Sequence, residues 1–171
     1  DSYNNLVVIL VSDVPLKRQV ATALAGEFGS RVRLENTQLR ENGILVCSWE
    51  FWRNHQPQLA TPQLLIMTTI PLPSLENPIV SGQTAYYKQK RQDWFRLYLL
   101  PTALKELQRA VVPLREHQGM IALLDSRVNH RSYGKTVLSA LEPYARVGNW
   151  NFVRQLLRFN LDDSIGVESD F

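Results

Sequence analysis

Residues 100–143 read LPTALKELQRAVVPLREHQGMIALLDSRVNHRSYGKTVLSALEP, and the fold is decided in this stretch. It predicts a basic amphipathic helix over residues 102–112, a turn at Gln118 and Gly119, an apolar strand over residues 120–124, and a second helix after a polar loop. A short apolar run between Gly and Asp, followed by helical spacing, is typical of a buried parallel strand. Loops that follow such strands carry the ligand sites of α/β proteins.

The rest of the chain predicts the sheet on which this unit lies. Four more strands are predicted, over residues 6–11, 31–35, 44–47 and 64–69. Helices are predicted over residues 15–28, 84–100 and 150–159, with Pro101 as a break after the second. The first of these helices is expected to bury Leu16, Val20, Ala23, Leu24 and Phe28. Strands alternating with helices indicate an α/β domain with a mainly parallel sheet flanked by helices.

Length and composition fit one folded domain with an acidic extension. The chain has 171 residues, of which 44% are hydrophobic, enough for a sizeable core. Residues 162–171 hold four acids and no base, so the formal charge rises from +3 to about +7 without them. We assign residues 1–161 to a single domain and residues 162–171 to a flexible acidic tail. The basic balance permits nucleic-acid binding without requiring it.

Cysteine content and hydropathy bear on the setting of the protein. Cys47 is the only cysteine, which excludes a disulfide framework and a cysteine-ligated cluster and favours a reducing, cytoplasmic setting. No apolar run approaches the roughly 20 residues that span a bilayer, and no secretory leader is evident, so no membrane partner is expected. The chain begins with Asp1 rather than Met, from which we expect that a partner domain precedes it.

Local motifs predict neither nucleotide hydrolysis nor a metal site in this chain. Residues 134–136, Gly-Lys-Thr, resemble the end of a phosphate loop, but Asn129 stands where that loop needs glycine. The three histidines, His55, His117 and His130, are scattered without acidic partners at metal-ligand spacing. We therefore expect no cofactor in this chain. Asp125 is expected to hold the loop that follows its strand, and Arg127 to contact an anion.

Basic and aromatic residues interleave between residues 84 and 100. Such a segment can follow a phosphate backbone while stacking bases. The alternative, that the aromatic side chains face the core and the basic ones face water, is also open. If DNA is bound, we expect one aromatic stack and several phosphate contacts, from Tyr133 and from Lys88, Lys90, Arg91, Arg127 and Lys135.

A series of short motifs occurs in order along nearly the whole chain. It comprises the strand at residues 44–48, Phe51-Trp52, Ile-Pro-Leu-Pro at residues 70–73, Asn77-Pro78, Leu-Pro-Thr-Ala at residues 100–103, Gln108, Arg115, Gly119, Asp-Ser-Arg at residues 125–127, and Tyr133-Gly134. This order resembles the second RecA-like domain of DinG/XPD-type superfamily 2 DNA helicases. The resemblance implies a RecA-like fold, single-stranded DNA as a partner, and ATP with Mg²⁺ only where a first motor domain supplies their site.

The resemblance also marks departures at the nucleotide-facing positions. The family motif Gln-x-x-Gly-Arg-x-x-Arg keeps Gln108 and Arg115, which implies nucleotide contacts and a remnant arginine finger. Val111 and Val112 replace its Gly and first Arg, and a lost arginine finger typically costs about 10³–10⁵ in rate. The family's Glu-Gly-x-Asp becomes residues 53–56, Arg-Asn-His-Gln, and Pro113 is expected to disturb the helix that aims Arg115.

Three functions are consistent with this pattern. The leading hypothesis is a degenerate helicase-type domain that binds nucleic acid or a protein partner without its own ATP hydrolysis. The second is the C-terminal motor half of an ATP-dependent DinG-type DNA helicase whose first domain lies outside this sequence. The third is an interaction module in which the acidic, Phe-ended tail docks on a basic partner.

Overall fold

The computed structural model describes residues 5–39 and 42–142. The chain divides into two compact units, Asp1–Leu141 and Glu142–Phe171. All described residues except Glu142 belong to the first unit. The predicted helix over residues 150–159 and the acidic tail, residues 162–171, lie outside the described residues.

Five parallel strands form the sheet, in the order β2-β3-β1-β4-β5. Their registers place Val7 beside both Ile44 and Leu64, and Leu64 beside Met120. β1, β3 and β4 are buried along their whole length, as expected for central strands covered on both faces. The predicted α/β fold with a parallel sheet is confirmed. The strands are β1 (Val7–Leu10), β2 (Val32–Leu34), β3 (Ile44–Cys47), β4 (Leu64–Met67) and β5 (Met120–Leu123).

Helices connect these strands and cover the sheet. Short 3₁₀ turns occur at Gly29–Arg31 and Gln56–Gln58, and a π-helical turn, Phe95–Leu99, runs directly into α4. The α-helices are α1 (Val14–Phe28), α2 (Trp49–His55), α3 (Pro78–Gln89), α4 (Leu100–Glu116), α5 (Arg127–His130) and α6 (Gly134–Ala140).

The buried face of α1 differs from the predicted one. Lys17 and Ala21 are buried, whereas the predicted Leu16 is 39% exposed. The reason is electrostatic, since the Lys17 ammonium lies 2.7 Å from a carboxylate oxygen of Glu35 and can therefore leave water. Of the predicted residues, Val20, Leu24 and Phe28 are half-buried, whereas Leu16 and Ala23 are exposed. Apolar periodicity missed Lys17 because it assigns every lysine to solvent.

The predicted helix over residues 84–100, with a break at Pro101, was wrong at both ends. α3 begins at Pro78 and ends at Gln89, and the chain then turns through Arg91, whose φ is +54°. Helical structure resumes at Trp94 and continues through Pro101, which lies in the first turn of α4. A π-helical turn is wider than an α-helical one, so the turn before Pro101 can relieve the clash that a proline ring makes.

α4 also extends past its predicted end at residue 112, to Glu116, with Pro113 inside it. A proline removes one backbone hydrogen bond, but here it does not end the helix. Leu107, Val111 and Leu114 are fully buried on both sides of Pro113. Packing of this apolar face on the sheet outweighs the local preference of proline, and Arg115 stays helical.

Candidate functional site

Polar side chains collect where the parallel strands end. After β1 the chain crosses to β2 on one side of the sheet, and after β4 it crosses to β5 on the other side. A ligand crevice is therefore expected between β1 and β4. The hydroxyls of Ser12 and Thr69 lie there, 2.9 Å apart. The Asp13 carboxylate accepts the Leu16 N–H at 2.7 Å and caps α1. A carboxylate therefore already occupies the start of α1, which disfavours an anionic ligand at that place.

Asp125 fixes the loop that follows β5. Its carboxylate accepts the N–H groups of Ile70 at 2.8 Å and of Arg127 at 3.0 Å. The Arg127 guanidinium forms a bidentate pair with it, from Nε to Oδ1 and from a terminal nitrogen to Oδ2. Burial alone would raise the pKa of Asp125, but the hydrogen bonds from Arg127 and Ile70 outweigh it and hold the pKa below its ordinary value. Asp125 thus ties the end of β5 to the segment after β4.

The Arg127 guanidinium is held in the ion pair with Asp125. The hydrogen bond to Asp125 raises the pKa of the guanidinium, whose side chain remains 39% exposed. Its exposed edge is open to an anion, but Asp125 neutralises much of its charge. The phosphate contact expected of Arg127 stays a prediction, with the exposed edge of the guanidinium left for it.

A second ion pair lies at the other side of the strand ends, and sequence reasoning missed it. The same Glu35 oxygen accepts from the Lys17 ammonium at 2.7 Å and from the Ser48 N–H at 3.1 Å. Burial would raise the pKa of Glu35, but these hydrogen bonds lower it below the ordinary value. Glu35 has a φ of +45°, unusual for a residue with a side chain. This pair joins α1, β2 and α2 and leaves little net charge there for a ligand.

The strongest gathering of predicted binding residues lies at the end of α3. The Lys88 ammonium is 4.9 Å from the centre of the Trp94 ring, and the Phe95 and Tyr133 ring centres are 4.9 Å apart. Arg96 donates to the Ser132 hydroxyl at 3.3 Å. Tertiary contacts thus bring the end of α3, the π-helical turn and the loop before α6 together. We call these residues the basic-aromatic surface: Tyr86, Lys88, Lys90, Arg91, Trp94, Arg96 and Tyr133.

A second lysine of this surface also lies on a ring. The Lys90 ammonium is 4.3 Å from the centre of the Tyr86 ring and donates to its hydroxyl. Tyr86 is 49% exposed, whereas Tyr133 is partly buried against the core. The two sequence alternatives therefore apply to different residues, because some aromatic side chains support the core while others face solvent beside the basic ones.

The fold requires glycine at position 134. A Cβ atom there would lie 1.9 Å from the carbonyl oxygen of Val128, so a side chain cannot be accommodated without moving backbone. α6 begins at this glycine and has seven residues. The neighbouring Lys135 is exposed on α6, one residue beyond the Tyr-Gly pair. Gly134 thus serves close packing of α6 on α5.

The residues that the resemblance aligns with the motif Gln-x-x-Gly-Arg-x-x-Arg include three on the exposed side of α4. Gln108 and Arg115 are exposed, and Val112, between them, is 50% exposed, whereas Val111 is fully buried. Arg115 donates to the Ala140 carbonyl oxygen at 3.3 Å. The valine that the resemblance aligns with an arginine finger is therefore the one that faces solvent.

Arg53, aligned with a family acid, fastens α2 to α4. Its guanidinium lies 3.3 Å from both carboxylate oxygens of Glu106. Beside it, the buried Trp52 indole donates to the Ala110 carbonyl oxygen at 3.1 Å. The two segments that carry the nucleotide motifs are thus joined to each other directly.

Within residues 5–39 and 42–142, no group of three or more His, Cys, Asp or Glu side chains could hold a metal ion. Burial raises the pKa of the Cys47 thiol to about 12, which makes it unreactive at neutral pH. None of the helices in the same part of the chain is both long and apolar enough to span a bilayer.

A five-stranded parallel sheet flanked by helices, with motif residues on α2, α4 and the strand ends, defines a RecA-like α/β domain. The helicase C-terminal domain family matches residues 18–144, and the chain belongs to this family. The resemblance to DinG/XPD-type helicases is confirmed.

Three relatives are similar to the chain. The ATP-dependent DNA helicase YoaA of Escherichia coli (strain K12) is 27% identical over 126 residues, 72% of this chain and 20% of the relative. YoaA of Haemophilus influenzae is 24% identical over 145 residues, 83% of this chain and 23% of the relative. The ATP-dependent DNA helicase DinG of Photobacterium profundum is 33% identical over 86 residues, 48% of this chain and 12% of the relative. The chain spans less than a quarter of each relative.

Proposed function

We propose that this helicase C-terminal domain binds single-stranded nucleic acid through the basic-aromatic surface and contributes no ATP hydrolysis of its own. The observation that carries the proposal is that Lys88 and Lys90 lie over the half-buried Trp94 ring and the exposed Tyr86 ring, with the exposed Arg91 in the turn between Lys90 and Trp94. Basic groups that follow a backbone and rings that stack bases together give binding that is indifferent to sequence and dependent on salt. Tyr133 and Lys135 extend the contact, with Arg127 as a minor one.

The absence of hydrolysis is supported by what occupies the nucleotide-facing positions. Valine has no charge to offer a transferring phosphate, and the finger it replaces is typically worth about 10³–10⁵ in rate. Val112 is exposed between Gln108 and Arg115, so neighbouring side chains do not fill its place. Arg53 has the opposite charge to the acid that the family has at this position and is held by Glu106, so it does not take the role of that acid. ATP and Mg²⁺ enter only where a first motor domain binds them.

Binding is tested with fluorescence anisotropy of a labelled oligo-dT on the full-length protein. We expect the Lys88→Ala/Lys90→Ala variant to bind roughly 60-fold more weakly near 50 mM salt, since each lost phosphate contact to a single strand removes about eightfold there. Lys105→Ala is the matched control, because Lys105 is exposed on α4, away from the basic-aromatic surface in sequence. Equal losses in the two variants, or no binding by the unmodified protein at low salt, would refute the proposal.

A second function, the C-terminal half of an active ATP-dependent DNA helicase, is favoured by the names of the relatives. The two functions differ in what Arg115 does. DNA-stimulated ATP hydrolysis by the full-length protein that is lost in Arg115→Ala would establish the second function. Turnover that is absent, or unchanged by that substitution, supports the first.

A further inference from the structure

Two rings of the basic-aromatic surface are covered by lysines of the same surface. Lys88 covers Trp94 and Lys90 covers Tyr86, at 4.9 and 4.3 Å from the ring centres. Trp94 is half-buried and Tyr86 is 49% exposed, so both contacts form where water reaches them. A lysine–ring contact at an exposed site changes an equilibrium by only about two- to fivefold.

A nucleic-acid base is a stronger occupant of the same ring. Stacking of a base on an aromatic side chain typically changes affinity by about five- to 150-fold. A lysine that leaves its ring keeps its charge and can contact a phosphate of the same strand. The exchange therefore replaces one weak contact with two stronger ones. The two partners of each exchange are four and six residues apart in the chain.

We infer that Lys88 and Lys90 are placeholders, which a single strand displaces from Trp94 and Tyr86 so that bases stack on the rings and the ammonium groups move to phosphates. This inference rests on the proposed function and deepens it, because it makes the two rings determinants of strand selectivity. Duplex DNA offers phosphates to the lysines but keeps its bases stacked inside. The rings therefore contribute to binding of single strands and not of duplexes.

The experiment compares three ligands of equal length on the full-length protein: oligo-dT, an abasic oligonucleotide, and a duplex. We expect Trp94→Ala to weaken binding of oligo-dT at least fivefold and to change binding of the other two less than twofold. Trp94→Phe, which keeps a ring, should restore most of the preference for oligo-dT over the abasic strand. Lys88→Ala should weaken all three ligands, because its phosphate contact does not need a base.

Fluorescence gives a second readout that does not depend on affinity. Oligo-dT should quench the tryptophan emission of the unmodified protein, while the abasic strand should not, and Trp94→Phe should lose this quenching although Trp49, Trp52 and Trp150 still emit. Thermal unfolding of each variant shows whether it is folded. If the unmodified protein binds none of the three ligands, the proposed function fails. If it binds, but Trp94→Ala weakens the abasic strand as much as oligo-dT, the exchange is refuted while the proposed function stands.

Discussion

Replacing Arg91 by glycine should separate binding from stability. Arg91 has a φ of +54° in the turn after α3, where its N–H donates to the Lys88 carbonyl oxygen at 2.9 Å. A residue with a side chain costs about 1–2 kcal/mol in this left-handed conformation, whereas glycine adopts it freely. Glycine also gains up to about 1 kcal/mol of freedom in the unfolded chain. We therefore expect Arg91→Gly to leave the free energy of unfolding unchanged or to raise it by up to about 1 kcal/mol.

The same substitution removes one cation from the basic-aromatic surface. Each phosphate contact to a single strand contributes about −0.7 to the slope of log affinity against log salt. Losing one contact therefore weakens binding about eightfold near 50 mM salt and about threefold near 200 mM. Anisotropy titrations with oligo-dT at both salt concentrations measure this loss, and urea unfolding measures stability.

Gln118→Gly is the matched control for that prediction. Gln118 has the same φ of +54°, lies just past the end of α4 and carries no charge. It should change stability as Arg91→Gly does while leaving affinity unaltered. Unchanged affinity in Arg91→Gly, or an equal loss in Gln118→Gly, would contradict phosphate binding by this turn.

Three further predictions concern the frame and the tail. Asp125→Asn should destabilise the fold by about 1–3 kcal/mol at neutral pH. Folding lowers the pKa of Asp125, so its contribution to the free energy of unfolding is full above the ordinary pKa of 3.8 and is lost as the pH falls through the folded pKa. Asp125→Asn should therefore lose less stability than the unmodified protein as the pH falls through this range. Gly134→Ala should cost about 3 kcal/mol or prevent folding, because a Cβ would meet the Val128 carbonyl oxygen at 1.9 Å, whereas Gly82→Ala, with open space around it, should stabilise α3 by up to about 1 kcal/mol in thermal melts. Deleting residues 162–171 should abolish capture of a basic protein partner in pull-downs if the acidic tail docks, and unchanged capture would dispose of tail docking.

The sheet could be predicted from the sequence because four of its five strands, β1, β3, β4 and β5, are apolar along their whole length. Strands covered on both faces need no alternation, so runs such as residues 44–47 stand out from their surroundings. The motif order then supplied the family. The inward face of α1 could not be predicted, since burying Lys17 depends on Glu35, which is brought to it by the turn after β2.

Helix boundaries failed where packing overrides local preference. Pro101 and Pro113 both predict interruption, yet α4 runs through them. A wider π-helical turn accommodates the first, and buried side chains around the second hold the helix together. Neither compensation is visible in a window of neighbouring residues.

The residue types of the candidate site could be predicted from the sequence, but the contacts between its side chains could not. Interleaved basic and aromatic residues identified the segment, and the resemblance identified Gln108 and Arg115. The contact of Phe95 with Tyr133, however, joins residues far apart in the chain. The covering of Trp94 by Lys88 depends on the turn between them. Both follow from the tertiary path of the backbone, which side-chain type alone does not specify.

The most direct test is the affinity of the full-length protein for oligo-dT between about 50 and 200 mM salt, with and without ATP and Mg²⁺. The four basic residues to which the proposal gives full phosphate contacts, Lys88, Lys90, Arg91 and Lys135, predict a slope of log affinity against log salt near −3. We expect the same slope and affinity with nucleotide present, because the proposed function assigns no nucleotide-sensing charge to the positions of Val111 and Val112. Absence of binding at 50 mM salt, or an affinity that changes with ATP in a manner abolished by Arg115→Ala, would contradict this expectation.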